Sequence, residues 1–368
     1  MLVAKLIFLL VGLALLVKGS DLFVLSSSVL AKRLGVSEFV IGLTLVSIGT
    51  SVPEFASSLA ASFEGASGIV IGNVIGSNIA NIGLIVSSAA ILSKVKTEKL
   101  MLRRDGYIMF FATILFYVFA LNFEISRLEA FVFLLFYASY IFFLLDKTCK
   151  HKENIYFENF IKYFYKFKYI FDLKAWNRTG TTEGIKNNRK IEEVSNLSEK
   201  EKSLESDNSC ETGYVPEGSF GVEILKLLVS GIAVIIGARY FVNASIFFAK
   251  QLEIPETIIG MSLMAIGTSL PEFMVTISAA RIGYANLAIG NVIGSNITNL
   301  LLIAGCSAVV CPLKVTGLSI YFIMPFLLFI SCMFLFFLRT DWEIKRFEGL
   351  ILLLLYLNFM VLLFYLNR

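Results

Sequence analysis

The chain of 368 residues is poor in charge, and it contains one histidine and five scattered cysteines. Charged residues make up 16% of the sequence, against roughly 25% in a soluble domain, while hydrophobic residues make up 57%. His151 is the only histidine, which argues strongly against a histidine-based metal centre and against a Ser-His triad. No two cysteines have the C-x-x-C spacing, so we expect no disulfide framework. We expect neither an enzyme nor a resident cofactor, and no nucleic-acid partner.

Apolar runs of about 20 residues, long enough to cross a bilayer, recur along both halves of the chain. Each half has five such runs, and because five is odd, the second half enters the membrane inverted relative to the first. The short loops then place eleven Lys and Arg on one side and five on the other, which predicts that both termini lie outside. The sequence thus predicts an all-α, multi-pass membrane protein of ten transmembrane helices in two inverted five-helix repeats. The predicted spans are 2–33, 38–62, 69–93, 105–121 and 128–145, then 219–250, 256–280, 285–311, 317–338 and 347–366.

A polar segment, 146–217, separates the first membrane repeat (1–145) from the second (218–368) and is expected to form a cytoplasmic loop. Its early part, 157–171, carries phenylalanines at alternating spacings of three and four with lysines among them. That pattern predicts a helix lying on anionic lipid, although a spacer that docks on the protein's own base would look alike. The later, Ser-rich and charged part is typical of a disordered linker.

An internal repeat is the most informative feature of the sequence. The segment 38–82 matches 256–300 without a gap at a constant offset of 218, and about half of the positions are identical. EFVIGLTLVSIGTSVPEF corresponds to ETIIGMSLMAIGTSLPEF, and GNVIGSNIAN corresponds to GNVIGSNITN. The inverted arrangement places equivalent residues around an axis near the middle of the membrane, where secondary transporters bind substrate.

Glu54 and Glu272 lie at equivalent positions within apolar spans, where a charged side chain is costly. Intramembrane carboxylates are functional by default, and the other interpretation is a pair of protonated or hydrogen-bonded acids that hold helices together. Pro53 and Pro271 precede them and are expected to break the helices, because proline lacks an N–H and clashes with the preceding turn. The freed carbonyls near Thr50 and Thr268, and the hydroxyls of Thr50, Ser51, Thr268 and Ser269, can then bind a cation.

The two GSN motifs add polar side chains at helical spacing. Ser77 and Asn81 are four residues apart and share a helix face, as do Ser295 and Asn299, so we expect these four to line the site. Asn78 and Asn296 are expected to point elsewhere and to satisfy freed backbone groups. The glycines of the two GxxxG pairs are expected to allow close helix packing: Gly72, Gly76, Gly290 and Gly294.

The combined ligand set consists only of oxygen atoms, which Ca²⁺ and Na⁺ prefer, whereas zinc and copper favour His or Cys. Two ionised glutamates balance one Ca²⁺, so a three-for-one exchange with Na⁺ would move net charge. Two protons would also neutralise the pair, which keeps proton exchange open at this point.

The paired GTSxPE and GSNIxN motifs resemble the alpha repeats of the calcium/cation antiporter superfamily, in its sodium/calcium exchanger branch. The resemblance implies alternating access, with the long first helix of each half sliding past the rest. It also implies that Glu54 and Glu272 are the central calcium ligands, and that Ser51 with Ser77, and Ser269 with Ser295, line two sodium sites. Backbone carbonyls of Thr50, Thr268, Ser47 and Ala265 are implied as further ligands. The position of Asn299 is Asp in potassium-dependent exchangers and in some prokaryotic relatives, and the absence of this third carboxylate argues modestly against potassium co-transport.

Three functions follow from these observations. The first is electrogenic, potassium-independent exchange of Na⁺ for Ca²⁺ by a protein that functions as a monomer. The second is cation/proton antiport on the same fold. The third, a passive channel or an intramembrane enzyme, is disfavoured because the symmetry is internal and inverted, and because no nucleophile with a base accompanies the polar residues.

Overall fold

The computed structural model describes residues 2–34, 36–93, 95–96, 102–149, 160–161, 220–251, 265–340 and 342–366. Helices dominate this part of the chain because its long apolar segments must satisfy their backbone groups internally in a bilayer. The elements of the first half are α1 (Leu2–Leu34), α2 (Glu38–Thr50), α3 (Val52–Phe63), α4 (Ser67–Leu92), β1 (Val95–Lys96), α5 (Tyr107–Ala120, after a π-helical turn at Leu102–Gly106), β2 (Glu124–Ile125) and α6 (Arg127–Cys149).

The second half repeats this order within its described residues. Its elements are α7 (Phe220–Gln251), α8 (Ala265–Thr268), α9 (Leu270–Ile282), α10 (Ala285–Val310), β3 (Leu313–Lys314), α11 (Ser319–Arg339), β4 (Glu343–Ile344) and α12 (Arg346–Leu366).

Seven described helices are long and apolar enough to cross a membrane, or eight when the bent pair α2 and α3 counts as one span. The predicted span 105–121 corresponds to α5, which does not meet that test, and part of the predicted span 256–280 lies outside the described residues. The all-helical membrane fold is therefore confirmed, whereas the ten-span count stays a prediction.

Helices α4 and α10 form the centre of the protein. In their most apolar segments 72% and 83% of the residues are buried, against 22% in α12, which lies at the periphery. Helix α10 contacts α2 closely, because a Cβ built on Gly290 or Gly294 would lie only 2.5 Å from the carbonyl oxygen of Phe39 or Leu43. The expected packing role of these two glycines is thus confirmed; the equivalent partner segment for the Gly72 and Gly76 pair, 256–264, lies outside the described residues.

Two short antiparallel sheets connect the halves of the chain. Strand β1 pairs with β4, with Val95 opposite Ile344, and β2 pairs with β3, with Ile125 opposite Leu313. Since β1 and β3 are 218 residues apart, the offset of the sequence repeat, the two sheets are equivalent structures. Each one joins a strand of the first half to a strand of the second.

Only Phe160 and Ile161 of the predicted amphipathic segment 157–171 lie among the described residues. The Phe160 side chain is fully buried against α6, with ring centroids 5.1 Å from Phe136 and 5.3 Å from Phe143. At this residue the segment docks on the protein itself, as the second interpretation expected. Its lipid contact stays a prediction, and the disordered linker predicted for the later part of 146–217 lies outside the described residues.

Candidate ion-binding site

Both proline-containing helices break at the predicted position. Helices α2 and α3 bend by 46° around Ser51, whose φ and ψ are −81° and 8°. Ser269 has almost the same values, −86° and 9°, between α8 and α9. Each break places a proline at the start of the following helix and a glutamate in its first turn. The sequence repeat therefore produces the same broken geometry twice.

The two glutamates lie deep in the protein, with 1% exposure for Glu54 and 2% for Glu272. Neither carboxylate oxygen of Glu54 has a hydrogen-bond partner, whereas Oε1 of Glu272 accepts a 2.8 Å hydrogen bond from the Ser51 hydroxyl. The described residues supply neither carboxylate with an ion pair. Buried charges of this kind are costly unless a cation or a proton accompanies them.

The asparagines of the GSN motifs pair across the two repeats. The Asn81 amide donates to Oδ1 of Asn296 at 2.9 Å, and the Asn299 amide donates to Oδ1 of Asn78 at 3.1 Å. Asn78 also donates to the Asn296 backbone carbonyl at 3.3 Å, as expected, but the pairing of Asn78 and Asn296 with the other two asparagines was not predicted. These contacts occupy the amide nitrogens of Asn81 and Asn299, and the Oδ1 atoms of both residues are buried without a hydrogen-bond partner.

Eight buried oxygen atoms of predicted site residues have no hydrogen-bond partner. Carboxylate and amide oxygens are acceptors only, and leaving such groups unsatisfied in the interior costs free energy. A bound cation would satisfy them, so the set is suited to cation binding. These atoms are both carboxylate oxygens of Glu54, Oε2 of Glu272, Oδ1 of Asn81 and Asn299, and the hydroxyls of Ser77, Ser269 and Ser295.

The backbone carbonyls implied as further ligands differ in their surroundings. The Ser47 carbonyl already accepts hydrogen bonds from the Ser51 N–H at 3.1 Å and from the Thr50 hydroxyl at 3.3 Å. Ala265 lies at the first position of α8, one turn before the break, so its backbone has the place in the second repeat that Ser47 has in the first. Thr50 and Thr268 end the helices before the breaks, which is where carbonyl ligands were expected.

Asn73 and Asn291 also belong to this region, although the sequence did not predict them as site residues. Asn291 accepts a hydrogen bond from the Thr50 hydroxyl at 3.3 Å, and Asn73 accepts one from the Thr268 hydroxyl at 3.4 Å. A signal was present, because Asn73, Ser77 and Asn81 follow one another at spacings of four and share one helix face.

An all-helical, multi-pass fold with two broken helices and buried oxygen ligands defines a membrane protein of the ion-transporting class. The chain belongs to the sodium/calcium exchanger family, since the family model for "Sodium/calcium exchanger protein" matches residues 4–145 and 222–365. It is 52% identical to the sodium/calcium exchanger MaX1 of Methanosarcina acetivorans over 365 residues, which cover 99% of this chain and 100% of that protein. Solved structures of the sodium-calcium exchanger NCX_Mj are similar, one of them with a TM-score of 0.72 at 28% identity, covering 97% of this chain and 98% of the other. The chain is thus an integral membrane protein of a cation-exchanging family.

Proposed function

We propose that this protein exchanges Na⁺ for Ca²⁺ across its membrane by alternating access, with the ions bound between the two broken helices. The observation that carries the proposal is the set of unpaired, buried oxygen atoms contributed equally by both repeats. Oxygen ligands of mixed type suit Ca²⁺ and Na⁺, which tolerate irregular coordination. The name of the relative MaX1, a sodium/calcium exchanger, supports the same substrates.

The charge of the site supports electrogenic exchange without potassium. Glu54 and Glu272 contribute two negative charges, and the residue at 299 is an amide rather than a third carboxylate. One Ca²⁺ neutralises the pair, so three Na⁺ in its place would carry an extra positive charge across the membrane. A co-transported K⁺ would lack the additional carboxylate that balances it.

The proposed topology is two inverted five-helix repeats with both termini outside and the segment 146–217 in the cytoplasm. The two equivalent sheets, β1 with β4 and β2 with β3, support it because inversion places equivalent elements on opposite faces. The positively charged short loops set the orientation.

Calcium uptake into proteoliposomes tests the proposal. Vesicles loaded with sodium should take up calcium-45, vesicles loaded with choline should not, and a positive-inside potential should accelerate uptake. Uptake that needs only an imposed pH gradient would replace sodium exchange by cation/proton antiport. Uptake that is independent of both gradients would indicate a passive channel.

A further inference from the structure

Asn291 joins the two broken helices to each other. Its side-chain oxygen accepts a hydrogen bond from Thr50, at the end of α2, and its amide donates at 3.0 Å to the Thr276 hydroxyl on α9. Asn291 is fully buried, and both of its polar atoms are used in these contacts. These contacts give Asn291 a role in holding the helices that does not require it to bind an ion.

Asn73, 218 residues earlier, makes the same connection in the opposite sense. Its oxygen accepts a hydrogen bond from Thr268, at the end of α8, while its amide donates to the Ser58 hydroxyl at 2.8 Å and the Glu54 carbonyl at 3.2 Å on α3. Each asparagine thus donates to the helix after the break in its own repeat and accepts from the helix before the break in the other. Aspartate has the acceptor without the donor, so only an amide fulfils both roles.

We propose that Asn73 and Asn291 are positioning residues for transport, which act through the hydroxyls of Thr268 and Thr50. The two asparagines hold these threonines, and with them the backbone carbonyls at the breaks, in place relative to the helices α9 and α3. This role rests on the proposed function, because the carbonyls matter only where ions bind between the breaks.

A double-mutant cycle between Asn291 and Thr50 tests this coupling. Thr50→Val removes the hydroxyl and keeps the backbone carbonyl, and Asn291→Ala removes its acceptor. Each variant should raise the KM for calcium about fivefold, the equivalent of one hydrogen bond, with little change in kcat. The effect of the double variant should be clearly smaller than the product of the two single effects, because both variants remove the contact between Thr50 and Asn291.

Asn122→Ala, an exposed loop substitution, serves as the control and should leave both constants unchanged. Asn291→Asp keeps the acceptor for Thr50 and should recover part of the lost affinity. The positioning role would be overturned if the two increases in KM multiply in the double variant, or if the variants reduce kcat while KM stays unchanged. If wild type shows no sodium-dependent uptake, the exchange function fails. Calcium-dependent thermal stabilisation is then measured for wild type, Thr50→Val, Asn291→Ala and the double variant, and the positioning role is contradicted if the two single effects multiply in the double variant.

A separate ion pair holds the first long helix against the core. Arg281, at the end of α9, lies 2.8 and 2.9 Å from the two carboxylate oxygens of Asp21 on α1. Ser278 also donates to Asp21, and its hydroxyl lies 3.3 Å from that of Ser20. Helices α1 and α7 approach backbone to backbone, since a Cβ on Gly12 would lie 2.7 Å from the Phe241 nitrogen. The two long helices therefore form one unit, which is attached to α9 through the ion pair between Asp21 and Arg281.

One of the two equivalent positions in the other repeat carries the opposite charge, and the other position is uncharged. At the offset of 218, Asp21 corresponds to Arg239 on α7, and Arg281 corresponds to Phe63, which is followed by Glu64. Arg239 and Glu64 are both exposed, and the described residues give neither an ion pair.

The contact that α1 makes with α9 is therefore not repeated between α7 and α3. An apolar cavity of about 350 Å³ lies where α7 meets both broken helices, and it is lined by Gly231 and Ile232 of α7, Ile48 and Val52 at the first break, and Pro271 and Val275 of α9. Among the described residues, one of the two equivalent faces therefore has an ion pair between a long helix and a broken helix, and the other has none.

We infer that Arg239 and Glu64 form a second ion pair in the opposite-facing state. An ion pair from α1 then stabilises one state, and an ion pair from α7 stabilises the other. The Asp21–Arg281 pair stabilises the conformation in which the face bearing Arg281 is closed. Movement of the long helices breaks that pair and brings Arg239 to Glu64. This inference rests on the alternating access of the proposed function.

Two variants that each remove one charge should shift the equilibrium between the two alternating-access states in opposite directions. Asp21→Asn should lower the KM for calcium presented to the face of Arg281 and raise it for the face of Glu64, by about two- to fivefold, as for a partly exposed ion pair. Arg239→Gln should do the reverse. The double variant Asp21→Arg with Arg281→Asp should restore the wild-type ratio of the two KM values. Shifts of equal sign, or no shift in either variant, would overturn the inference, whereas loss of all sodium-dependent uptake in wild type would instead contradict the exchange function.

Discussion

The Ser51 hydroxyl lies 2.8 Å from Oε1 of Glu272, a hydrogen bond that joins the break of the first repeat to the glutamate of the second. The equivalent atoms on the other side, the Ser269 hydroxyl and both carboxylate oxygens of Glu54, have no hydrogen-bond partner. Equal sequences thus have unequal environments in this conformation. The two repeats therefore share this part of the candidate site, because the break of the first repeat contacts the glutamate of the second.

Neutralising either glutamate should abolish calcium transport without unfolding the protein. Glu54→Gln and Glu272→Gln each remove one of two charges facing Ca²⁺, a loss of several kcal/mol that should reduce uptake to below about 1% of wild type. The apo variants should be at least as thermally stable as wild type, because a buried charge is removed. Calcium should no longer raise their Tm.

Glu124→Gln, which neutralises an exposed carboxylate on β2, is the matched control and should transport like wild type. Near-normal flux in either Glu54→Gln or Glu272→Gln would remove these residues from the ion site.

The breaks and the two glutamates could be predicted from sequence because their cause is local. Pro53 cannot continue the hydrogen-bond pattern of a helix, and the repetition of the same motif around Pro271 excludes coincidence. The ends of α1 and α7 were also predicted within two residues, since long apolar runs define them.

The contacts between the repeats could not be predicted in the same way. The pairing of Asn81 with Asn296 depends on how two helices 215 residues apart approach each other, which no local pattern encodes. The same holds for Asp21 and Arg281, which are 260 residues apart. Two-residue strands such as β1 are too short for a sequence signal, and their register depends on the partner strand.

Close packing of α10 against α2 predicts a specific loss of stability. A methyl group on Gly294 would lie 2.5 Å from the Leu43 carbonyl and 2.6 Å from the Ser47 hydroxyl, so Gly294→Ala forces the two helices apart. We expect a destabilisation of about 1–3 kcal/mol, measured as a lower Tm in detergent. Gly317→Ala, whose nearest neighbouring atom would be a Tyr321 carbon at 3.8 Å, should leave the Tm nearly unchanged. Equal effects in the two variants would contradict the tight contact.

A third carboxylate should change the monovalent ion requirement of the site. Asn299→Asp replaces an amide, whose oxygen is buried and without a hydrogen-bond partner, by a negatively charged carboxylate. Ca²⁺ would then leave one charge unbalanced, so calcium uptake by the variant should increase when K⁺ is added. Wild type and Asn122→Ala should not respond to K⁺. A variant that remains indifferent to K⁺ would show that residue 299 does not set the charge balance.

The two equivalent sheets should lie on opposite faces of the membrane. The proposed inverted topology would place β2 and β3 outside and β1 and β4 inside, so Glu124→Cys and Glu343→Cys should differ in accessibility. In vesicles of known orientation, with the native cysteines replaced, an impermeant maleimide added outside should label Glu124→Cys and leave Glu343→Cys unlabelled until the membrane is permeabilised. Labelling of both from one side would contradict the inverted topology. Labelling of Glu343→Cys alone would keep the inversion and reverse the orientation, because the sheets would still lie on opposite faces.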